Sequence, residues 1–286
     1  MKLKKTLNFF RQSYIIILLS LIYIPLIVII FLSFTKPSIK GNITNSFDWN
    51  SGENYIELFK NNDFLNALAN TAIIVVFVVP ISTILATLTC FGIWNSKKFY
   101  QNTVLGVSKV NIVIPDVISG ICLALLFSVT WISWFKSDLG FITIILAHIS
   151  FCTPYAIILI FPRMQKMKRN LILASQDLGY SKFQTFFKVI IPFILPSILS
   201  AAAIVFGMSF DDFIITKLVG GKISTISTEM YTMAKGIKSW AVTFGAILVI
   251  LSFVIVAIVA IKKSHKARNI SKNLSTKKWT KKQKLY

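Results

Sequence analysis

Six long apolar segments constrain this chain more than any other feature of its sequence. Each has at least the ~20 residues that a helix needs to cross the hydrocarbon core of a bilayer. The segments lie at about 14–34, 67–94, 104–131, 139–161, 190–216 and 240–261. Unpaired backbone amides in hydrocarbon are costly, so such segments must form helices or a closed barrel. They lack the period-2 alternation of a barrel, and therefore predict an all-α polytopic membrane protein with six transmembrane helices.

The composition agrees with this prediction. Of the 286 residues, 55% are hydrophobic, which exceeds the roughly 45–50% that is usual in soluble domains. We interpret 14–34 as a retained span, because it is longer than the apolar region of a signal peptide and no A-x-A cleavage pattern follows it. The predicted organisation is a basic segment at 1–13, a six-helix transmembrane domain at 14–261 and a basic tail at 262–286.

The lysines and arginines lie mainly on alternate connections between the spans. One set of regions carries 22 of the 31 basic residues: 1–13, 95–103, 162–189 and 262–286. The opposite set carries 8: 35–66, 132–138 and 217–239. The positive-inside rule therefore predicts a multi-pass plasma-membrane protein with both termini and the 162–189 loop in the cytoplasm. We attribute the net charge of +21 to topology and contact with anionic lipid headgroups rather than to nucleic-acid binding.

Neither a metal site nor a nucleotide site is indicated. The three cysteines, Cys90, Cys122 and Cys152, lie inside apolar runs without the spacing of metal ligands. No GxxxxGK[ST] motif occurs, so we expect no bound cofactor and no ATP hydrolysis by this chain itself.

The 162–189 loop carries a helical pattern of its own. Gly179 is predicted to cap the end of a helix, and Ser181 to begin a second one. Apolar residues spaced 3, 4, 3, 4 predict one stripe on the first helix: Met164, Met167, Leu171, Ala174 and Leu178. From the residues alone, this helix could lie on the lipid surface or dock against another protein.

The same loop resembles the Glu-Ala-Ala-x-x-x-Gly signature of ABC-importer permeases, which is followed by two prolines. The residues in register are Ala174, Asp177, Leu178, Gly179, Pro192 and Pro196. The resemblance implies a coupling helix that docks on a separate ATPase subunit, with these coupling residues: Leu171, Ala174, Ser175, Asp177, Leu178 and Gly179. Three residues depart from the family pattern, since Leu173 stands in place of Glu, Ser175 in place of the second Ala, and Tyr180 in place of a frequent Ala.

Similarity extends over nearly the whole chain and points to the PotC-type permease subunits of spermidine/putrescine ABC importers. Besides the loop, three stretches carry it: IPDVISGICLALLF at 114–127, LAHISFCTPY at 146–155 and MSFDDFIITKLVGG at 208–221. The resemblance implies the type I, MetI-like permease fold. It also implies three partners, namely an ATPase dimer that binds the ATP, a second homologous permease subunit, and an extracytoplasmic polyamine-binding protein or lipoprotein.

Three carboxylates within the predicted spans are candidates for the substrate pathway: Asp116, Asp211 and Asp212. Intramembrane ionisable residues are costly and usually functional, and an outer-leaflet carboxylate suits a polycation. Adjacent helical residues point about 100° apart, so one of the pair 211 and 212 is expected to face the pathway. Asp116 could instead satisfy a backbone opened by Pro115, or pair with Lys109.

His148 is interpreted as a hydrogen-bonded packing residue rather than a proton relay, although its partner is not evident from the sequence. Pro192 and Pro196 are expected to bend the start of the fifth span. An importer for another small solute and an ion-coupled secondary transporter remain alternative functions. The latter would predict internal repeats, and we find no convincing repeat.

Overall fold

The computed structural model describes residues 2–38, 41–43, 47–50, 52–233 and 236–283. Their regular structure is helical, with isolated β-bridges near the 35–49 segment. The helices are α1 (Lys2–Leu32), α2 (Glu53–Leu58), α3 (Asn62–Trp94), α4 (Lys98–Val113), α5 (Asp116–Phe127), α6 (Ser133–Phe135), α7 (Phe141–Gln165), α8 (Asn170–Asp177), α9 (Lys182–Thr185), α10 (Ile191–Asp211), α11 (Ile214–Val219), α12 (Ile226–Tyr231) and α13 (Ser239–Gln283). Two π-helical turns accompany them, at Ser128–Ile132 and Phe186–Ile190.

The predicted architecture of six apolar spans is confirmed for the described residues. Five segments are long and apolar enough to cross a bilayer: Ser13–Leu32, Asn62–Trp94, Phe141–Gln165, Lys182–Asp211 and Ser239–Ser264. The sixth is a bent pair, Lys98–Val113 with Asp116–Ile132, whose two parts meet at 105°.

The third span is therefore not the continuous helix that the sequence predicted at 104–131. Ile114 has extended backbone angles, φ −69° and ψ 128°, because a residue that precedes proline is disfavoured in the α conformation. Pro115 then stands before the first turn of α5 with ψ 138°. The Ile114–Pro115 break therefore separates the two parts of the bent pair, and α5 begins after it with Asp116.

The fifth span also differs from the predicted segment at 190–216. Helical structure begins at Lys182 and ends at Asp211, where Asp212 becomes extended with ψ 124°. Pro192 and Pro196 both lie in α10. The helical run is not broken at either proline, and the irregularity beside them is the π-helical turn at Phe186–Ile190.

The last span continues into the predicted basic tail. α13 extends from Ser239 to Gln283, so most of 262–286 prolongs the helix, and 284–286 lie outside the described residues.

The chain divides into two compact units. The first unit consists of Met1–Asn61 and Ala234–Tyr286. In it, α1 and α2 pack against α13. The apolar side chains of α1 are largely exposed, as expected of a helix whose surroundings are lipid or other subunits.

The second unit, Asn62–Met233, contains the main core. α3, α7 and α10 pack against one another, and α11 packs on α5 and α7. Side chains that lie fully inside this core include Ile74, Val78, Ala86, Ile144, Ala147, Ile160, Phe161, Ile194, Val205 and Ile215. This unit carries both the carboxylates and the loop that the sequence singled out.

Candidate functional site

The corner between α10 and α11 is built around Asp212. Asp212 directly follows α10, and its carboxylate accepts hydrogen bonds from the backbone amides of Ile215, at 3.4 Å, and Thr216, at 2.8 Å. It thus satisfies amides in the first turn of α11 that have no partner within the helix. The hydroxyl of Ser227 donates to the Asp212 carbonyl at 2.6 Å. The corner is therefore fixed through both the side chain and the backbone of Asp212.

His148 joins this corner to α7. Its side chain is buried, with Nδ1 2.9 Å from the Ser209 hydroxyl and Nε2 3.0 Å from the Thr216 hydroxyl. Nε2 also lies 3.2 Å from Oδ2 of Asp212. The interpretation of His148 as a hydrogen-bonded packing residue is confirmed, and its partners lie 61 and 68 residues away in sequence.

A cleft of about 340 Å³ opens beside the corner. Its lining consists of Asp116, Phe151, Tyr155, Gly207, Met208, Asp211 and Asp212. The structure thus brings together all three carboxylates predicted for the substrate pathway, from the first residue of α5 and the end of α10. The Phe151 and Tyr155 rings, 5.4 Å apart between centroids, form part of the wall on α7.

The three carboxylates are not equivalent. Asp211 and Asp116 are exposed, and within the described part of the chain neither has a hydrogen bond or an ion pair. Among the described residues, Asp116 forms neither a hydrogen bond to the backbone opened by Pro115 nor an ion pair with Lys109. Asp212, in contrast, is only 9% exposed and its carboxylate already accepts several hydrogen bonds.

The residues around the cleft match a cationic ligand. Its lining contains three carboxylates and no lysine or arginine among the described residues, in a chain of net charge +21. Attraction between opposite charges strengthens where water is scarce, and an aromatic face adds cation–π attraction of about 0.5–2 kcal/mol. The arrangement can bind an ammonium group.

A second feature is the protruding pair α8 and α9. The predicted cap at Gly179 is confirmed: Gly179 has φ +86°. Its amide donates to the Gln176 carbonyl at 2.9 Å, and the Tyr180 amide donates to the Ser175 carbonyl at 3.1 Å. This double hydrogen bond is the Schellman motif. The predicted start at Ser181 is also confirmed by its reciprocal bonds with Gln184, at 3.0 and 3.3 Å.

The predicted single stripe from Met164 to Leu178 is wrong. α7 ends at Gln165 and α8 begins at Asn170, so Met164 and Met167 do not share a helix with Leu171. Both methionines are buried in the core. The backbone amides of Lys166 and Met167 each donate a hydrogen bond to the carbonyl three residues earlier, and these bonds form a turn directly after α7. α7 therefore ends in a turn before the stripe can continue.

α8 and the residue that follows it, Leu178, expose apolar and polar side chains in about equal number. Leu171, Leu173 and Leu178 are 45%, 58% and 79% exposed, and Ala174 and Asp177 are exposed beside them. Ser175, predicted with the coupling residues, instead faces inward and is buried. An exposed helix with such large apolar side chains is suited to contact with another protein or with lipid.

Cation–π contacts hold this loop against neighbouring elements. The Arg169 guanidinium lies 5.7 Å from the Trp94 ring at the end of α3. The Lys188 ammonium lies 5.0 Å from the Tyr180 ring, which follows the Gly179 turn. Such contacts restrict the position of α8 relative to α3 and to the π-helical turn.

Sequence reasoning did not identify Phe151, Tyr155, Ser209 and Thr216. The aromatic pair is at i and i+4 on α7, so helical spacing could have placed both rings on one face. Asp212 before an apolar turn is a helix-start signal, which could have identified it as a cap and Thr216 as its partner.

The membrane-spanning fold, the acidic cleft and the exposed helix pair together define a multi-pass membrane transport protein. The chain belongs to the family of binding-protein-dependent transport system inner membrane components, whose sequence profile matches residues 55–263. Members of this family are permeases and not themselves enzymes. Membership decides against the ion-coupled secondary transporter, because transport in this family depends by definition on a binding protein.

Two curated relatives illustrate the similarity. The chain is 44% identical over 284 residues to a spermidine/putrescine transport system permease protein PotC homolog of Mycoplasma pneumoniae, covering 97% of this chain and 98% of the relative. It is 28% identical over 252 residues to the spermidine/putrescine transport system permease protein PotC of Haemophilus influenzae, covering 87% and 95%.

Among solved structures, the chain resembles a permease-fold chain in a bacterial ABC transporter that imports the acidic polysaccharide alginate. The TM-score is 0.67 at 15% sequence identity, and the match covers 92% of this chain and 98% of the other. At this identity the comparison establishes the fold, and the predicted ABC-importer permease fold is confirmed.

Proposed function

We propose that this chain is one of two permease subunits of an ABC importer that translocates polyamines such as spermidine and putrescine across the plasma membrane. The two relatives described above carry that substrate in their names. In the proposed mechanism, the cleft beside the α10–α11 corner binds ammonium groups of the substrate while it passes through the membrane.

The observation that carries the proposal is the cleft itself. Asp116 and Asp211 present carboxylates without partners in the described part of the chain, next to the Phe151 and Tyr155 rings. A flexible chain with several ammonium groups can engage two carboxylates together, and its methylene segments can pack on the aromatic faces. A neutral or anionic solute would leave the negative charge of these two carboxylates without a countercharge in the cleft.

The coupling loop 162–189 is proposed to dock on a separate ATPase. The exposed Leu171 and Leu178, seven residues apart, supply an apolar contact surface on one face of α8 and its C-terminal end. α9, the π-helical turn and α10 then form one helical run from Lys182 to Asp211. Movement of α8 with the ATPase would therefore act at the helix that ends at the cleft.

We further propose that both termini and this loop lie in the cytoplasm. The support is the unequal distribution of basic residues, 22 on the proposed cytoplasmic regions and 8 on the opposite ones. In this orientation the end of α10 lies toward the outer face, where a binding protein would deliver substrate.

The proposed assembly contains an ATPase dimer, a second homologous permease subunit, an extracytoplasmic binding protein or lipoprotein, and membrane lipid. ATP would be bound by the ATPase, and no cofactor by this chain. The exposed apolar surfaces of its helices would contact lipid and the second permease. The basic C-terminal region would contact anionic headgroups.

Reconstitution of the four protein components in liposomes tests the proposal. ATP-dependent uptake of radiolabelled spermidine is measured in competition with putrescine, arginine, glucose and inorganic cations. We expect polyamines alone to compete strongly. Uptake of another solute with no polyamine transport would overturn the assignment.

A further inference from the structure

Two neighbouring carboxylates at the end of α10 have different surroundings. Asp211 is exposed in the cleft without a partner in the described residues. Asp212, next to it, accepts hydrogen bonds from the Thr216 amide at 2.8 Å and the Thr216 hydroxyl at 2.9 Å, and its Oδ2 lies 3.2 Å from His148. The second carboxylate is therefore already engaged by the protein.

In a buried polar network of this kind, each side chain depends on the others for its hydrogen bonds. His148, Ser209, Asp212 and Thr216, which we name the corner latch, bridge α7, α10 and α11. Loss of one partner leaves a buried polar group unsatisfied. If Asp212 turned to bind substrate, the latch would lose the carboxylate that holds the first turn of α11.

The corner latch also affects Asp116 through packing. α11 packs on α5, and the two helices meet closely at Gly120, where an added Cβ would lie 2.7 Å from Cδ1 of Leu218 and 3.6 Å from Cα of Ile215. Asp116 begins α5, one turn before Gly120. A change in the position of α11 therefore alters the position of Asp116, while Asp211 is carried by α10.

We propose that His148 is a positioning residue of the cleft: through Asp212 and Thr216 it holds the α10–α11 corner and thereby sets the separation between Asp116 and Asp211. In this assignment the two exposed carboxylates bind the ligand, and Asp212 does not. The separation selects among diamines by the distance between their ammonium groups. The selection among diamines rests on the proposed function, whereas the geometric role of His148 does not.

Chemical crosslinking measures the separation without any substrate. Asp116→Cys and Asp211→Cys are combined in a chain whose three native cysteines are replaced by serine or alanine. Bis-maleimides of graded length are then applied to the purified protein. With His148 present we expect one linker length to dominate. With His148→Ala or Thr216→Val we expect the preference to broaden or to shift by at least one linker step.

The matched control is Thr153→Val, because Thr153 lies on α7 and, among the described residues, its hydroxyl bonds only to the Ile149 carbonyl of the same helix. It should leave the crosslinking pattern unchanged. An unchanged pattern in both latch variants would overturn the positioning role. If His148→Ala does not yield folded protein, His148→Gln and Thr216→Val carry the same comparison.

Transport measurements then distinguish residues of the corner latch from residues that bind the substrate. In the complete importer, the effects of His148→Gln and Asp212→Asn on the uptake rate should be non-additive. The loss of uptake in the double variant should be about tenfold smaller than the product of the two single losses. The effects of His148→Gln and Asp211→Asn on uptake should be closer to additive, because these two residues are not in contact. The preference among diamines of increasing chain length should shift in His148→Gln.

Two results would overturn this assignment: additivity of His148→Gln with Asp212→Asn, or an unchanged length preference in His148→Gln. Failure of the unsubstituted importer to transport any polyamine would instead overturn the proposed function, and the crosslinking result would still decide the role of His148 in the cleft geometry.

Discussion

The hydroxyl oxygens of Ser175 and Thr185 lie 3.0 Å apart, and both side chains are buried. Ser175 also donates to the Ile172 carbonyl at 2.7 Å, so the Thr185 hydroxyl is the donor in the bond between them. This bond joins α8 to α9, the first helix of the run that ends at Asp211. It is therefore a mechanical connection between the proposed docking helix and the fifth span.

Thr185→Val should weaken this connection without changing the volume of the side chain. Ser175 keeps its bond to the Ile172 carbonyl, and the expected loss is about 1 kcal/mol of local stability. In the reconstituted importer we expect a several-fold fall in the number of polyamine molecules transported per ATP hydrolysed. Affinity for the ATPase should remain unchanged, because the exposed face of α8 is untouched.

The control is Thr103→Val, since the Thr103 hydroxyl is exposed and bonds only to the Phe99 carbonyl of its own helix. Equal transport-to-hydrolysis ratios in Thr185→Val and in the unsubstituted importer would show that the connection does not carry coupling.

Substitution of Gly179 should separate membrane insertion from transport. Gly179 has φ +86°, a conformation that proline cannot adopt and that costs other L-residues about 1–2 kcal/mol. Gly179→Pro should abolish ATP-driven uptake while the chain still inserts in the membrane, and Gly179→Ala should reduce uptake partially. Uptake assays with quantified membrane fractions measure both effects.

Gly92→Ala is the matched control, because an added Cβ there meets nothing within 4 Å and its φ is not positive. Normal uptake by Gly179→Pro would exclude a coupling role for the turn.

The turn around Gly179 shows which features the sequence specified well. The left-handed Gly179 and the Ser181 cap were predictable, because each depends on residues within five positions of itself. The apolar spans were predictable for a similar reason, since their length and hydropathy are local properties. The break at Ile114–Pro115 had a local signal, the proline, but a continuous apolar run concealed it.

The candidate site was predictable only in part. The rarity of carboxylates in apolar segments identified Asp116, Asp211 and Asp212. Helical geometry predicted that only one of Asp211 and Asp212 faces the pathway, whereas both line the cleft and differ in that Asp212 is engaged by the protein. Part of the difference is local, because Asp212 caps the first turn of α11. The rest is the contact with His148, which lies 61 residues from Ser209 and 68 from Thr216. Such contacts depend on how α7, α10 and α11 pack, and no spacing rule within one segment reports that packing.

Neutralising the exposed carboxylates should weaken substrate binding. Asp211→Asn and Asp116→Asn each remove a charge that has no partner in the described residues. A hydrogen bond to a charged group contributes about 1.5–3 kcal/mol, so we expect KM for spermidine to rise by roughly tenfold to a hundredfold in each variant. Initial-rate uptake at varied spermidine concentration measures it.

Asp138→Asn provides the comparison, because Asp138 is also exposed but does not line the cleft. Its KM should stay unchanged. The ligand role of the two carboxylates would be rejected if both single variants and their double variant transported spermidine with the KM of the unsubstituted importer.

Gly221→Ala should destabilise the second compact unit more than Gly106→Ala. Gly221 has φ +56°, and an added Cβ would clash with the Leu139 carbonyl oxygen, so a backbone segment just before α7 would have to move. The conformational cost alone is about 1–2 kcal/mol, and the contact adds to it. Thermal unfolding in detergent should show a clearly lower midpoint, whereas Gly106→Ala, whose Cβ meets nothing within 4 Å, should leave it unchanged. Equal midpoints in the two variants would mean that the 221 turn relaxes away from residue 139 at little cost.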